Sequence, residues 1–227
     1  MPVITISRQL GSGAIYIAQQ LANQLNFRYI DKELIVKVAQ LANVTPDKIE
    51  HFDQDEFNQI KTIFSQMPFP IPGSGIMYPF TAIAYMEPAL GGYPGTFEEG
   101  MGIDDRRYLQ LTQTVIRNFA EEGNVIIMGR GGCILLKDFP QTVHLRIIAP
   151  LERRIEWATQ EDPNIDKSKA KEIIEQKDKA RAEYLKHFYN ANWDNPLFYH
   201  LILNTGHIAL DDAVKIITSL VELTKKK

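Results

Sequence analysis

The fold of this chain is constrained most by its opening, where a β-branched run is followed by a glycine-rich turn and an apolar-periodic segment. The run occupies residues 3–7, and Gly11-Ser12-Gly13 forms the turn. From residue 14 to residue 26, apolar side chains recur at the spacing of one helix face. A buried strand that continues into a helix through glycines is the first unit of a parallel α/β sheet, so this opening predicts that fold class.

The same alternation of strand and helix signals continues along the 227 residues. Short apolar runs predict five strands, at residues 3–7, 27–30, 125–128, 142–148 and 199–203. Amphipathic segments predict helices at residues 14–26, 32–42, 55–67, 104–122 and 210–223, with a further helix from 150 and a charged, mostly helical segment at 161–192. This order predicts a single domain over 1–227 with a three-layer α/β fold, in which helices flank a parallel five-stranded sheet.

Composition and charge exclude several classes of protein. The net charge of −3 gives no polyanion-binding signature, so no nucleic-acid partner is expected. The chain lacks a run of about 18 apolar residues, so no membrane partner is expected. Cys133 is the only cysteine, which excludes an intramolecular disulfide and fits a reducing compartment. Because the N-terminus also lacks a signal-peptide pattern, the sequence predicts a cytoplasmic protein.

Residues 68–103 differ from the rest of the chain. They are rich in proline, glycine, methionine and aromatic residues and poor in charge. The prolines prevent a continuous helix, and the apolar side chains need a surface to cover. We interpret the segment as an insertion that packs on its own domain or forms a contact between identical subunits. A packed irregular loop is favoured over a dedicated binding segment.

The turn after the first predicted strand fits a phosphate-binding loop in its glycines but not in its polar side chains. In the pattern G-x-x-x-x-G-K-[ST], backbone N–H groups surround phosphate oxygens, the lysine reaches the outer phosphates and the hydroxyl binds magnesium. With Gly13 at the second glycine, Arg8 stands at the first, Ala14 at the lysine and Ile15 at the hydroxyl position. Gly11 and Gly13 still allow close backbone approach, and the following helix offers unpaired N–H groups.

Two other interpretations of this turn stay open. A dinucleotide-binding loop would also place Gly11-x-Gly13 between a strand and a helix, with Asp31 at the end of the next strand. Tyr16 argues against such an oxidoreductase, because it occupies the position of the motif's third glycine, where close packing excludes a side chain. The remaining interpretation is a strand-to-helix turn that needs glycine for its geometry alone.

Four stretches of the sequence, by their order and spacing, resemble the corresponding stretches of a known protein family. They are ITISRQLGSGAIYIAQQLANQLNFRYID, NVIIMGRGG, VHLRIIAPLERRIEW and DKARAEYLKHFYNANWDNPLFYHLILNT. Together they resemble the cytidylate kinase-like family of P-loop nucleoside monophosphate kinases, whose members carry a strand, an SR-x-x-GSGG loop, a helix and a strand ending in aspartate. This branch commonly lacks the loop lysine. It usually has a glycine and a polar or basic residue after GSG, where this chain has Ala14 and Ile15.

The resemblance implies a donor site, an acceptor site and a closing lid. ATP would bind at the loop, which consists of Arg8, Gly11, Ser12, Gly13 and Ala14. The acceptor site would lie at the carboxyl edge of the sheet. There Arg130 would hold the acceptor phosphate and Asp31 would contact the acceptor sugar or base. A helix N-cap stays open for Asp31, and a structural salt bridge stays open for Arg130.

The lid would come from the helical region at 150–192. Arg153, Arg154 and Arg181 are its candidates for clamping phosphates, because a planar guanidinium binds two oxygens at once. By the resemblance, Arg153 and Arg181 would act in catalysis together with Arg130. The alternative for the segment as a whole is a solvated helix face with i, i+4 charge pairs.

The resemblance implies ATP-dependent phosphorylation of CMP or a similar small acceptor. Ala14 and Ile15 favour the alternative of a nucleotide-binding protein without catalysis, which would serve sensing or assembly. Mg²⁺ is expected from the chemistry, with Ser12 and Asp31 both open as its ligands. Gly131 stands where typical cytidylate kinases carry an aspartate after GR. The sequence contains no cluster of histidines and cysteines, so no zinc site is expected.

Overall fold

The computed structural model describes residues 1–42, 105–162 and 164–224, in which five parallel strands form one sheet. The spatial order of the strands is β2-β3-β1-β4-β5. They are β1 Val3–Arg8, β2 Arg28–Ile30, β3 Val125–Met128, β4 Thr142–Ile148 and β5 Leu201–Asn204. The predicted helix at 55–67 and the predicted insertion at 68–103 lie outside the described residues, so the proposed subunit contact stays a prediction.

Helices connect the strands within the described ranges. They are α1 Ala14–Leu25, α2 Lys32–Leu41, α3 Asp105–Glu122, α4 Gly132–Leu135, α5 Leu151–Glu161, α6 Lys167–Tyr189 and α7 Leu210–Thr224. The predicted segment at 161–192 is mostly α6, which begins only at Lys167 because the Asp166 side chain accepts a hydrogen bond from the Lys169 N–H and caps the helix there. β5 starts two residues later than predicted, since a 3₁₀ turn at Pro196–Phe198 precedes it.

The sheet is buried on both faces, as parallel sheets require. Alternate residues of a strand point to opposite faces: in β3, Ile126 and Met128 join one apolar cluster while Val125 and Ile127 join the other. Helices α1 and α7 cover the first face, and α2 and α3 cover the second. The three-layer α/β prediction is therefore confirmed. β1 lies at the centre of the sheet, so the loop that follows it emerges at the middle of the carboxyl edge.

His144 is a buried titratable group in the central strand β4. Its Nδ1 lies 2.7 Å from Thr5 Oγ1, and its ring stacks on His200 with centroids 4.9 Å apart. Burial lowers the pKa of His144 from 6.5 to about 4, and the neighbouring His200 adds to the shift. The imidazole is therefore neutral in the folded protein at neutral pH.

We expect the free energy of unfolding to fall by roughly 3 kcal/mol as the pH drops from 6.5 to about 4. In that window the unfolded chain binds a proton at residue 144 that the folded chain excludes, whereas above pH 6.5 the effect is absent. Urea denaturation at successive pH values measures it. A His144→Gln protein loses this part of the slope, and a change at the exposed His207 keeps it. An unchanged slope in His144→Gln would contradict the assignment.

Among the described residues, no helix combines the length and apolar character needed to cross a bilayer. Cys133 lies buried in α4, and burial raises the pKa of its thiol to about 11. At neutral pH the group is therefore a thiol and not a nucleophilic thiolate.

Candidate functional site

The loop between β1 and α1 is held in one conformation by hydrogen bonds within the described fold. Gly11 and Gly13 both have φ of +74°, a left-handed conformation that glycine adopts without strain. The hydroxyl of Ser12, which is 1% exposed, donates to the Gln9 carbonyl at 2.8 Å. Thr205 Oγ1 donates to the Ser12 carbonyl, also at 2.8 Å. The loop is thus a rigid turn fixed from both sides, and the Ser12 hydroxyl is directed into it.

Both loop glycines also make close contacts that a side chain would disturb. A Cβ atom at Gly11 would lie 3.3 Å from the Cβ and carbonyl oxygen of Arg154 in α5. A Cβ atom at Gly13 would lie 2.6 Å from Leu210 at the start of α7. Glycine is therefore required for backbone geometry and for packing at the same positions. The interpretation that these glycines serve the geometry of the turn is therefore supported. That role is compatible with ligand binding at the same loop.

The first turn of α1 supplies no cation to the loop. Ala14, at the lysine position, is buried in the apolar cluster of α1 and α7, while Ile15 is 46% exposed. Tyr16 turns outward and donates to Asp211 Oδ1 on α7 at 2.7 Å, so its side chain does not cover the loop. No described side chain caps the helix at Gly13. The N–H groups of the first turn therefore form the electropositive end of α1.

The carboxyl edge of β1, β2 and β3 brings together Arg8, Asp31 and Arg130. Asp31 Oδ2 lies 3.7 Å from Arg8 Nη2, and Asp31 Oδ1 lies 3.5 Å from Arg130 Nη1. Tyr29 donates to Asp31 Oδ2 at 2.8 Å. All three charged side chains are at most 11% exposed. Asp31 occupies the N-cap position of α2 but its side chain makes no capping bond, so the carboxylate is committed to this cluster.

Arg130 sits in a strained turn after β3. Its φ is +50°, and Gly129 and Gly131 on either side have φ of +72° and +74°. A non-glycine residue in this conformation costs energy and persists where the surroundings fix it. Tyr189, the last residue of α6, donates to the Arg130 carbonyl at 3.0 Å. Burial raises the pKa of the Tyr189 phenol, which keeps this donor protonated. The guanidinium of Arg130 is thereby aimed at Asp31.

A second ionic cluster connects the loop to helices α5 and α6. Asp178 accepts from the Leu10 N–H at 2.8 Å and from Arg154 Nη1 at 2.5 Å, and Arg181 Nη1 lies 3.4 Å from it. Arg154 Nη1 also donates to the Leu10 carbonyl at 3.2 Å. The helical region predicted as a lid therefore contacts the loop through Asp178 and Arg154, and Arg181 pairs with Asp178.

Arg153 is not brought to this cluster. Its side chain is half exposed, pairs with Glu156 at 3.0 Å and lies over the ring of Trp157 at 5.1 Å, all within α5. Arg154, the next residue, is 6% exposed and faces the loop. The geometry therefore favours Arg154 over Arg153 as the arginine of α5 that contacts the loop, and the role of Arg181 stays a prediction.

Behind the loop lies a buried polar network that the sequence did not indicate. Arg146 in β4 stacks over Trp193 at 4.1 Å and pairs with Asp194 at 2.5 Å. Trp193 Nε1 donates to Ser7 Oγ at 2.7 Å, and the Tyr199 hydroxyl donates to the Trp193 carbonyl at 2.9 Å. The network fixes the end of β1 through its hydrogen bond to Ser7. An arginine within a strand that otherwise reads as apolar was its only signal.

The described residues offer no ligand set for a metal ion. No group of three or more His, Cys, Asp or Glu side chains converges among them. Ile15 lacks the hydroxyl of the usual loop, and Ser12 donates inward. Asp31 lies between two guanidinium groups. Mg²⁺ is often bound largely through substrate phosphates, so the described residues need not supply its full ligand set.

Comparison with known proteins identifies the class that this fold and loop define. Residues 3–207 match the cytidylate kinase-like family, and the chain belongs to that family. It is 30% identical over 125 residues to a cytidylate kinase of Methanocaldococcus jannaschii, a match that covers 54% of this chain and 65% of that protein. It is 26% identical over 123 residues to a cytidylate kinase of Methanoregula boonei, covering 54% and 66%. The chain thus spans less than two thirds of these relatives' own length.

A solved structure supports the fold. The crystal structure of an uncharacterized protein from Eubacterium ventriosum is similar to this chain with a TM-score of 0.63 at 21% identity, and the match covers 97% of this chain and 98% of that one. The likeness extends over almost the whole chain and concerns the fold alone. The resemblance drawn from the four sequence stretches is confirmed at the level of family and fold.

Proposed function

We propose that this protein transfers the γ-phosphoryl group of ATP to CMP or a similar small acceptor. One observation carries the proposal, namely that four largely buried arginines from separate segments lie in two ionic clusters, one at the carboxyl edge of the sheet and one that contacts the glycine-rich loop. They are Arg8, Arg130, Arg154 and Arg181. Ligands of open α/β sheets bind at this edge, and a cluster of guanidinium groups suits a substrate with several phosphates.

The donor phosphates would bind between the loop and helices α5 and α6. The residues fit this role because two loop glycines allow close approach and the first N–H groups of α1 have no described side-chain cap. Arg154 and Arg181 supply positive charge from the opposite side. Backbone dipoles and guanidinium groups would thus take over the role of the missing loop lysine.

The acceptor would bind at Arg130 and Asp31. Arg130 would hold the acceptor phosphate, and Asp31 would accept a hydrogen bond from a sugar hydroxyl or from the base. Asp31 also orients both neighbouring guanidinium groups, since it lies between Arg8 and Arg130. The pairing explains how two buried cations are tolerated side by side.

The chemical step would need positioning and charge neutralisation rather than a protein nucleophile. An oxygen of the acceptor phosphate forms the new bond to the γ-phosphorus of ATP, and the bond to the β–γ bridging oxygen breaks, which leaves ADP. Arg8, Arg130, Arg154 and Arg181 would stabilise the negative charge that spreads over the transferred group. Mg²⁺, held by the nucleotide, would neutralise further phosphate charge.

A coupled ADP-release assay with ATP and a panel of nucleoside monophosphates tests this function. We expect turnover with at least one pyrimidine or purine monophosphate, and calorimetry should show binding of ATP but not of NAD. ATP binding without turnover on any acceptor would instead support a nucleotide-binding protein that lacks catalysis. The buried Ala14 and exposed Ile15 favour that second candidate, because they replace the lysine and the hydroxyl of the usual loop.

Arg154 and Arg153 provide a matched pair of substitutions for the donor side. We expect Arg154→Ala to lower kcat/KM for ATP by at least about tenfold, because a charge-assisted contact to phosphate is removed. Arg153→Ala should stay within about threefold of wild type, since surface pairs such as Arg153–Glu156 contribute little. Steady-state kinetics at saturating acceptor measures both variants. Equal losses in the two proteins would contradict the placement of the donor phosphates.

A further inference from the structure

We propose that the Asp178 carboxylate occupies an anion position of the donor site, and that a phosphate group of the incoming nucleotide displaces it. The inference rests on the proposed function, and it concerns how that site is regulated. In the described conformation the protein would hold its own donor site partly closed.

The contacts of Asp178 are those that a phosphate oxygen would make. Its carboxylate accepts from the Leu10 N–H of the glycine-rich loop at 2.8 Å and from Arg154 Nη1 at 2.5 Å, with Arg181 Nη1 at 3.4 Å. The donors come from the loop, from α5 and from α6. One loop amide and two guanidinium groups form an anion-binding set, which accepts carboxylate and phosphate oxygens alike.

Burial makes this competition effective. The side chains of Asp178, Arg154 and Arg181 are only 15%, 8% and 16% exposed. Water and salt screen charges at such sites much less than at the surface. An anion can therefore reach Arg154 and the Leu10 N–H only if the carboxylate leaves or shares them. Asp178 acts as an internal competitor for the nucleotide.

Arg154 has a hydrogen-bond donor that the Asp178 carboxylate does not use. Within the described residues, Arg154 Nε is buried and has no hydrogen-bond partner. A buried donor without a partner costs free energy. A carboxylate offers two oxygens, whereas a terminal phosphate offers three. The unused Nε–H points to a ligand richer in acceptors than the present one.

Removing the negative charge of Asp178 tests the inference. We expect Asp178→Asn to bind ATP and inorganic tripolyphosphate about tenfold more tightly than wild type, because the charged competitor is gone. Isothermal titration calorimetry measures both ligands. Glu183→Gln is the matched control, since Glu183 lies on the same helix, is 68% exposed and pairs only loosely with Lys179 at 3.7 Å. It should bind like wild type.

The outcomes separate this inference from the proposed function. If wild type binds ATP and Asp178→Asn binds equally or more weakly, Asp178 is no competitor and the proposed function stands. If neither protein binds ATP or tripolyphosphate, the inference and the proposed function both fail.

Hydrogen exchange on Asp178→Ala provides a second, independent test. The Leu10 amide should exchange faster than in wild type without ligand and become protected when tripolyphosphate is added. An amide that tripolyphosphate leaves unprotected would also overturn the inference.

Discussion

An Arg130→Ala protein should phosphorylate its acceptor at least about 100-fold more slowly than wild type, as loss of a preorganised group that stabilises transition-state charge does elsewhere. The fold should survive the change, because Asp31 would keep Arg8 and the Tyr29 hydroxyl as partners. The effect should appear as a raised KM for the acceptor together with a lowered kcat. The KM for ATP should change little, because the proposed donor site is formed by the loop, Arg154 and Arg181.

Arg28→Ala is the control for this experiment. Arg28 starts β2 at the opposite, amino edge of the sheet, where it pairs with Glu122 at 3.0 Å. The ADP-release assay should give nearly wild-type turnover for Arg28→Ala. Normal turnover in Arg130→Ala would remove the acceptor-site assignment, even if ATP binding at the loop were intact.

The second large effect is expected on stability, at Gly131. We expect Gly131→Ala to lower the free energy of unfolding by about 2–4 kcal/mol, since two separate costs add. The backbone has φ of +74°, and a Cβ atom would lie 2.3 Å from the Tyr189 ring. Chemical denaturation measures the loss. The Tyr189 ring thus fills the space that a side chain at position 131 would need. Its hydroxyl donates a hydrogen bond to the Arg130 carbonyl.

Neighbouring glycines separate the two costs. Gly129 has φ of +72°, but a Cβ atom there would come no closer than 3.9 Å to Arg8 Nη1, so Gly129→Ala tests the backbone cost alone. Gly132 has no positive φ and would meet Thr5 Cγ2 at an ordinary 3.5 Å, so Gly132→Ala should be nearly neutral. Stability should fall in the order Gly132→Ala, Gly129→Ala, Gly131→Ala. Equal stability of the last two would show that Tyr189 does not restrict position 131.

The sheet could be predicted from sequence because its strands depend on local pattern. β3 and β4 match their predicted ranges residue for residue, since each is a continuous apolar or β-branched run between clear breaks. The placement of Asp31 and Arg130 at one edge also follows from the sequence, because each follows a predicted parallel strand, whereas Arg8 was assigned to the donor loop. The sequence does not show that the Asp31 carboxylate pairs with both arginines and does not cap its own helix.

The lid contacts could not be derived because they depend on helix phase and on distant segments. Each step along a helix rotates the side chain by about 100°, so Arg153 and Arg154 cannot both face the loop. The resemblance assigned the catalytic role to Arg153, whose side chain pairs with Glu156 instead. Asp178 meets Leu10 across most of the chain. Its only local signal was a carboxylate three residues before Arg181. The same holds for Trp193, which lies just after the predicted lid region and reaches Ser7 near the start of the chain.

The most direct test of the central claim is a crystal structure with a non-hydrolysable ATP analogue. The claim is that backbone N–H groups of the glycine-rich loop, assisted by arginines from α5 and α6, bind a polyphosphate without a lysine. We expect the β- and γ-phosphates within hydrogen-bond distance of the N–H groups at residues 11–14 and of Arg154, with Asp178 moved away from the Leu10 N–H. Phosphates bound elsewhere, with Asp178 still on Leu10, would contradict the claim.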